Sequence, residues 1–352
     1  FNLNIINIIY YTNIYKEVLM DKKSIPFDKL KFYYGIPHSH TSLSTGKSSP
    51  YESLEHARSN GLDFLIITDH NKYLSETIKE KNKEISKWEY LNKCINKFNK
   101  KHSDFLALCG FEAKSTTLGH LNILCPNTFF TGIIPDIKYL LLWLINDHTA
   151  LLSINHPKNS IAKKIEFTPI LDKLLCSIEV GNGIPPSTYT RYDSQFFSLL
   201  DKGFKIGAIN SQDNHKLNQG DSENLTCVIS HKLNKNSLLD SFKNRHIFST
   251  ESKTLKMLFS LNSTFMGGTI TVDSSSKISL YLQVEDHINK ISKVQFLTNQ
   301  GKIIKEIKDI DLHNVKYIFE KEVSLNETWF VAKVYLNNNK EAMSSPIFVN
   351  YE

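Results

Sequence analysis

Phe32-Tyr33-Tyr34-Gly35-Ile36-Pro37-His38-Ser39-His40-Thr41 is an aromatic, apolar run that ends on two histidines one residue apart. A short run of this composition, bounded by Gly and Pro, reads as a strand. Alternate side chains of an extended segment share a face, so His38 and His40 can reach a single ion. Taken alone, His-x-His has a plainer reading as two packed or surface imidazoles. Repetition changes that. Five further blocks follow the same plan: Thr68-Asp69-His70-Asn71, Gly110-Phe111-Glu112, Gly119-His120, Asn155-His156-Pro157 and Ser211-Gln212-Asp213-Asn214-His215. Together the six blocks use six of the 13 histidines, each placed with a carboxylate or imidazole at the end of an apolar run. Such donors suit zinc, manganese or iron and need no cysteine.

The segments between the blocks alternate in type. Ser49-Pro50-Tyr51-Glu52 reads as a helix start, with Ser49 as N-cap, Pro50 in the first turn and Glu52 closing a capping box. Gly61 stops that helix. Residues 62–68 read as a buried strand and 76–102 as one long, lysine-rich helix. Residues 105–111, 121–124, 150–154, 177–180 and 204–209 read as further strands, and Pro135 starts an apolar helix through 140–145. Strand–helix alternation implies a parallel sheet, and its length suits a closed barrel with its chemistry at the C-terminal strand ends. Beyond Thr250 the texture changes. Residues 278–284 and 331–336 alternate with period two, and Asn299-Gln300-Gly301-Lys302 reads as a hairpin turn between 294–297 and 303–307. This is the pattern of an all-β, sandwich-like domain. Its histidines, His287 and His313, have no metal-ligand spacing.

Composition narrows the function classes. The 352 residues exceed the usual single-domain size, and 41% hydrophobic with 22% charged content describes a soluble globular protein. The net charge of +6 is almost all lysine, Arg58, Arg191 and Arg245 being the only arginines. Base and phosphate readout favours arginine forks, so a solvated lysine surface is expected rather than nucleic-acid binding. Five cysteines without a Cys-x-x-Cys spacing read as free thiols in a reducing, cytoplasmic setting. No stretch has the length of a membrane span, so no membrane partner is expected. The first methionine is Met20, so residues 1–19 are expected to lie upstream of the natural start or to belong to a fragment. Oligomeric state has no reading in the sequence.

The His-x-His pair, Ser44-Thr45-Gly46 and the capped helix, followed by Thr68-Asp69-His70-Asn71, resemble the polymerase-and-histidinol-phosphatase (PHP) superfamily of metal-dependent phosphoesterases. The later stretches Thr328-Trp329-Phe330-Val331-Ala332-Lys333-Val334 and Ser344-Ser345-Pro346-Ile347 make the chain look like the CehA/McbA metallohydrolase branch. The resemblance implies an α/β fold: a distorted (β/α)7 barrel over 32–250 after an N-terminal extension over 1–31, and a C-terminal all-β domain over 251–352. It further implies that His38, His40, Glu112 and Asp213 share one metal. Glu112 then bridges to a second metal held by His120 and His156, and His70 with His215 holds a third. The usual aspartate of that third site is replaced by Thr45, a poor ligand, so two firmly held ions are expected, or three with the last one loose.

The leading expectation is a metal-dependent hydrolase acting on a small phosphorylated substrate through a hydroxide that bridges the ions, with His38, His40, Glu112, His156 and Asp213 as its catalytic set. Hydrolysis of a carboxylic ester, amide or carbamate by the same centre is the alternative, and a non-catalytic metal-binding interaction module is a further one. Asp69 or Glu179 is expected to accept from a metal-bound imidazole, although a buried carboxylate such as Glu179 can be purely structural. Lys47, Lys158 and Arg191 are candidates for substrate contact, each competing with a role as an ordinary surface cation. Since every candidate ligand precedes Thr250, residues 20–250 are expected to keep the metal centre.

Overall fold

A computed structural model describes residues 27–147, 149–185 and 188–352. The expectations for residues 1–26, including a start at Met20, and the histidine at position 148 lie outside them. Strand β1 (Phe32–Ile36) leads into the first histidine pair. Helix Pro50–Ser59 begins as its sequence dictates, with the Ser49 side chain accepting from the Glu52 amide and Glu52 accepting from the Ser49 amide at 2.8 Å. Strand β2 (Phe64–Ile67) is buried throughout.

Residues 76–86 depart from the expected long helix. Strands β3 (Thr77–Glu80) and β4 (Lys83–Ser86) form an antiparallel hairpin that turns at Lys81, whose φ is 55°. Ile78 and Ile85 stand opposite each other across it. The helix starts only at Lys87, where the Ser86 hydroxyl caps it by accepting from the Glu89 amide at 3.1 Å. The abundance of lysine and glutamate, good helix formers, conceals this short period-two alternation in the sequence.

The main sheet continues through β5 (Leu106–Ser115), β6 (Gly119–Leu124), β7 (Leu151–Asn155), β8 (Leu175–Ile184), β9 (Thr188–Arg191), β10 (Gly207–Ser211), β11 (Leu225–Ile229) and β12 (Ile247–Thr250). The pairs β1–β2, β2–β5, β7–β8 and β8–β10 are parallel. The pairs β5–β6 and β6–β7 are antiparallel, which corrects the expectation of a parallel sheet. Only residues 116–118 separate β5 from β6, too few for the crossover that parallel strands require. Past β10 the chain returns to the start of the series. Ser39 bridges Asn214, the His40 amide donates to the Asn214 carbonyl at 2.9 Å, and the Asp213 amide donates to the His38 carbonyl at 3.1 Å. The ends of the first and last strands of this series therefore meet where the histidine blocks lie.

The remaining strands are β13 (Leu255–Leu261), β14 (Thr264–Phe265), β15 (Thr269–Val272), β16 (Lys277–Asp286), β17 (Ile291–Thr298), β18 (Lys302–Ile307), β19 (Asn314–Glu322), β20 (Trp329–Leu336), β21 (Glu341–Ser344) and β22 (Ile347–Tyr351). Four of them form an antiparallel sheet in the order β14-β13-β16-β19. Strands β17 and β18 are the expected hairpin, turning at Gln300 with φ 63°. Strand β21 pairs with β12, so the large sheet runs on without a break into β21, β20, β17 and β18. Trp329, Val331, Met343 and Phe348 of these late strands share one core with Leu152, Ile178, Phe196 and Ile206. Among the described residues, no helix is long and apolar enough to cross a membrane.

Candidate metal centre

All six histidine blocks converge. His38 Nε2 and His40 Nε2 lie 3.1 Å apart, and Asp213 Oδ1 lies 3.2 Å from the first and 3.1 Å from the second. Glu112 presents Oε1 to His38 Nε2 and Oε2 to His40 Nε2, each at 3.5 Å. On its far side Glu112 Oε1 meets His120 Nδ1 at 3.0 Å and His156 Nε2 at 3.3 Å, while Oε2 meets His70 Nδ1 at 2.9 Å. Glu112 thus stands between two groups of donors. Donor atoms of four sets lie within 4.8 Å of one another: His38, His40 and Glu112; His38, His156 and Asp213; Glu112, His120 and His156; and His40, His70 and His215. These histidine clusters fit a metal site.

Backbone geometry serves the convergence. Glu112 lies inside β5 and His120 inside β6, so the β5–β6 hairpin, rather than two separate strand ends, brings them together. His156 and Asp213 adopt φ of 26° and 50°, left-handed values that non-glycine residues take at a cost. Strain of this kind concentrates at functional sites, where the surroundings hold it.

The electrostatics call for a cation. Glu112 and Glu179 are buried, and among the described residues neither they nor Asp213 pair with a lysine or arginine; their only partners of opposite sign are imidazoles. Asp213 Oδ1 is buried without a well-formed hydrogen bond. Burial raises the carboxyl pKa of both Glu112 and Asp213, but the facing His38 and the other imidazoles outweigh it and hold both below the usual carboxylate range. Burial likewise opposes a charge on His38, yet Asp213, Glu179 and Glu112 push it up to about 10. The same carboxylates that favour a charge on His38 favour a divalent cation at this spot. Glu112 and Asp213 with imidazoles on both sides are a donor set that suits zinc, manganese or iron.

Around this centre the candidates of the sequence fall in different places. Glu179 Oε1 lies 2.8 Å from His38 Nδ1, and its Oε2 accepts from the His156 amide at 2.6 Å. Asp69 meets no imidazole: it accepts from the Thr41 amide at 2.7 Å, from the Thr41 hydroxyl and from the Ser44 hydroxyl. These bonds brace the turn after His40, and of the two carboxylates expected to accept from an imidazole it is Glu179 that lies against one. Thr45 is exposed at the tip of that turn. Lys47 and Lys158 are exposed near the cluster, and the Lys47 amide donates to the His215 carbonyl at 3.1 Å. Arg191 is engaged elsewhere: its guanidinium is tied to Asp193, Glu251 and Glu341.

Two residues escaped the sequence reading. Asn155 Nδ2 donates to Glu112 Oε1 at 2.9 Å, orienting the shared carboxylate; its place directly before His156 was the available signal. Tyr192, half-buried, has its pKa raised by burial and then by the charges of Glu179 and Asp213. No local pattern marks it.

No family model matches the chain, and no curated protein matches it. Its fold resembles a two-domain protein from Bacteroides vulgatus, described as containing a predicted PHP-like metal-dependent phosphoesterase, with a TM-score of 0.52 and 15% identity over 90% of this chain and 93% of that one. At that identity the likeness is one of fold. A candidate metal-dependent phosphoesterase from Bifidobacterium adolescentis aligns with a TM-score of 0.33 and 12% identity over 51% of this chain and 86% of that one, too distant to carry weight.

Proposed function

We propose that the chain is a metal-dependent hydrolase of PHP type whose substrate is a phosphoester. The observation that carries this reading is the cluster of Glu112, Asp213 and Glu179, gathered at one spot with imidazoles and, among the described residues, with no lysine or arginine to balance them. His38, His40, Glu112 and Asp213 would hold one divalent ion, and Glu112, His120 and His156 a second. Such ions supply Lewis acidity towards a phosphoryl oxygen and acidify a coordinated water. The chain's own residues prepare the site for them. Glu179 engages His38 Nδ1, which leaves Nε2 to face Asp213 and His40. Asn155 turns the shared Glu112 carboxylate, and the exposed Lys47 and Lys158 follow donor-bearing segments. The proposal extends to the finer architecture: residues 32–250 as a seven-stranded barrel closed at Ser39 and Asn214, 251–352 as a supporting β domain, and the CehA/McbA branch as the nearest type. Support comes from the two-domain neighbour and the strand ends that meet at the site.

A screen of the metal-loaded protein against phosphomonoesters, phosphodiesters, aryl esters and carbamates is expected to give turnover on phosphoesters alone. Carbamate or aryl-ester turnover without phosphatase activity reverses the substrate class, and metal binding without any turnover favours an interaction module.

Thr45 sets the ion count. His40, His70 and His215 can share an ion, but their donor set contains no carboxylate and Thr45 lies exposed. A divalent ion held by neutral nitrogens is poorly neutralised and exchanges readily. The purified protein is therefore expected to retain closer to two ions than three, and Thr45→Asp to raise third-site affinity in a metal titration. Three ions that survive dialysis against a weak chelator in the unaltered chain defeat this expectation.

A further inference from the structure

A heavily built polar cluster outside the metal centre surrounds Arg191. Its Nη2 lies 2.8 Å from Asp193 Oδ1, its Nε 2.7 Å from Glu341 Oε1 and its Nη1 3.5 Å from Glu251 Oε1. Nη1 also donates to the Tyr189 hydroxyl at 3.1 Å, and that hydroxyl donates to Glu251. Lys333 adds a second cation, bonded to Asp193 and 3.0 Å from Glu341 Oε1. Burial opposes the guanidinium charge, but Asp193, Tyr189 and Glu341 outweigh it and drive the pKa upward. A cation surrounded in this way offers no free fork to a substrate.

The cluster joins two parts of the chain. Tyr189 and Arg191 belong to β9, whereas Lys333 lies on β20, Glu341 on β21 and Glu251 just past β12. Strand β9 is the antiparallel partner of β8, with Arg191 opposite Gly181. Gly181 leaves room for the cluster, since a Cβ there would come within 2.6 Å of Asn210 Oδ1 and 2.7 Å of the Tyr189 hydroxyl. Glu179 sits two residues before Gly181 on the same strand, with one oxygen on the His38 imidazole and the other on the His156 amide. A shift of the β8–β9 hairpin therefore moves Glu179, which touches a donor residue of each proposed ion.

We propose that Arg191 is a positioning residue through which the late strands, by way of Lys333 and Glu341, fix Glu179 and with it His38 and His156. The inference rests on the metal-centre reading above.

Calorimetric titration of the metal-free, full-length protein with Mn2+ or Zn2+ tests it. Arg191→Met and Glu341→Gln, which act on Glu179 only through β9 and β8, are both expected to weaken ion binding by up to about 10-fold, the lower edge of the range seen when a direct outer partner of a metal ligand is lost. Arg191→Lys keeps the charge but not the fork and is expected to fall between them and the unaltered protein. At saturating metal, KM for a phosphoester is expected to stay at its wild-type value while kcat falls. Should Arg191→Met fail to fold, Glu341→Gln, which keeps the side-chain volume, carries the test alone. A variant that melts at a lower temperature yet binds metal with wild-type affinity well below that temperature makes the cluster merely structural and overturns the proposal. A raised KM for Arg191→Lys with unchanged metal affinity returns Arg191 to substrate contact and overturns it too. If the unaltered chain binds no divalent ion, the metal-centre reading itself fails, an outcome read on the wild type before any variant is made.

Discussion

Glu112→Gln is expected to remove at least one bound ion and to lower turnover by about 100-fold or more, since loss of a mere outer partner of a metal ligand already costs 10–100-fold. Glu112 faces His120 and His156 with one oxygen and His70 with the other, while both oxygens stand 3.5 Å from the His38–His40 pair. Its negative charge is what allows two cations to sit close together. Glutamine keeps the shape and fills the same buried place, so the fold is expected to stay intact by circular dichroism. The metal-free form should even tolerate the change well, because three carboxylates that have no lysine or arginine partner among the described residues become two. Metal analysis and phosphoester turnover give independent readouts. Unchanged stoichiometry with normal turnover excludes Glu112 as the shared ligand. His313→Ala is the control: its Nδ1 lies 2.8 Å from the Asp286 carbonyl, remote from the cluster, and neither readout should change.

What the sequence made legible was local. His38 and His40 at a strand end, the capping box at Ser49 and the turn at 299–302 each depend on spacing within a few residues, and each stands where that spacing places it. The six histidine blocks could be read as one site because each adjoins an apolar run, although Glu112 and His120 lie inside β5 and β6 and meet through their antiparallel hairpin rather than at parallel strand ends. What stayed hidden depends on partners far along the chain. Arg191 finds Glu251 and Glu341, which no local pattern links to it, and so it looked like an available cation. Asp69 sits beside His70 in sequence, yet its hydroxyl partners Thr41 and Ser44 lie a strand away. The direction of β6 turned on a connection too short to cross over, and the hairpin at 77–86 hid under helix-favouring composition. The left-handed backbone at His156 and Asp213 had no glycine to announce it.

A chain cut at Thr250 is expected to lose its cooperative fold, and its metal centre with it, although every candidate ligand lies before the cut. The reason lies in the continuity of the sheet and core. Strand β12 pairs with β21 through Phe248–Ser344, Ser249–Met343 and Thr250–Ala342, so truncation leaves β12 as an open edge. Trp329, Val331, Met343 and Phe348, all buried, pack among residues of β7, β8 and β10 and leave that core exposed when removed. At about 1.5–3 kcal/mol for each large apolar side chain, the four together amount to roughly 6–12 kcal/mol, against a total stability of about 5–15 kcal/mol for a typical domain. Truncation also strips Glu251, Lys333 and Glu341 from the Arg191 cluster and leaves the guanidinium with Asp193 as its remaining carboxylate partner. Breaking a buried ion pair from one side typically costs about 3–5 kcal/mol, which adds to the loss. Residues 27–250 should therefore show weak near-ultraviolet circular dichroism, a broad thermal transition and no tight ion in a metal titration. A sharp unfolding transition with the full complement of ions would instead mean that the core around β7, β8 and β10 closes without Trp329 and Phe348, and that the late strands are a separable attachment rather than part of what holds the site.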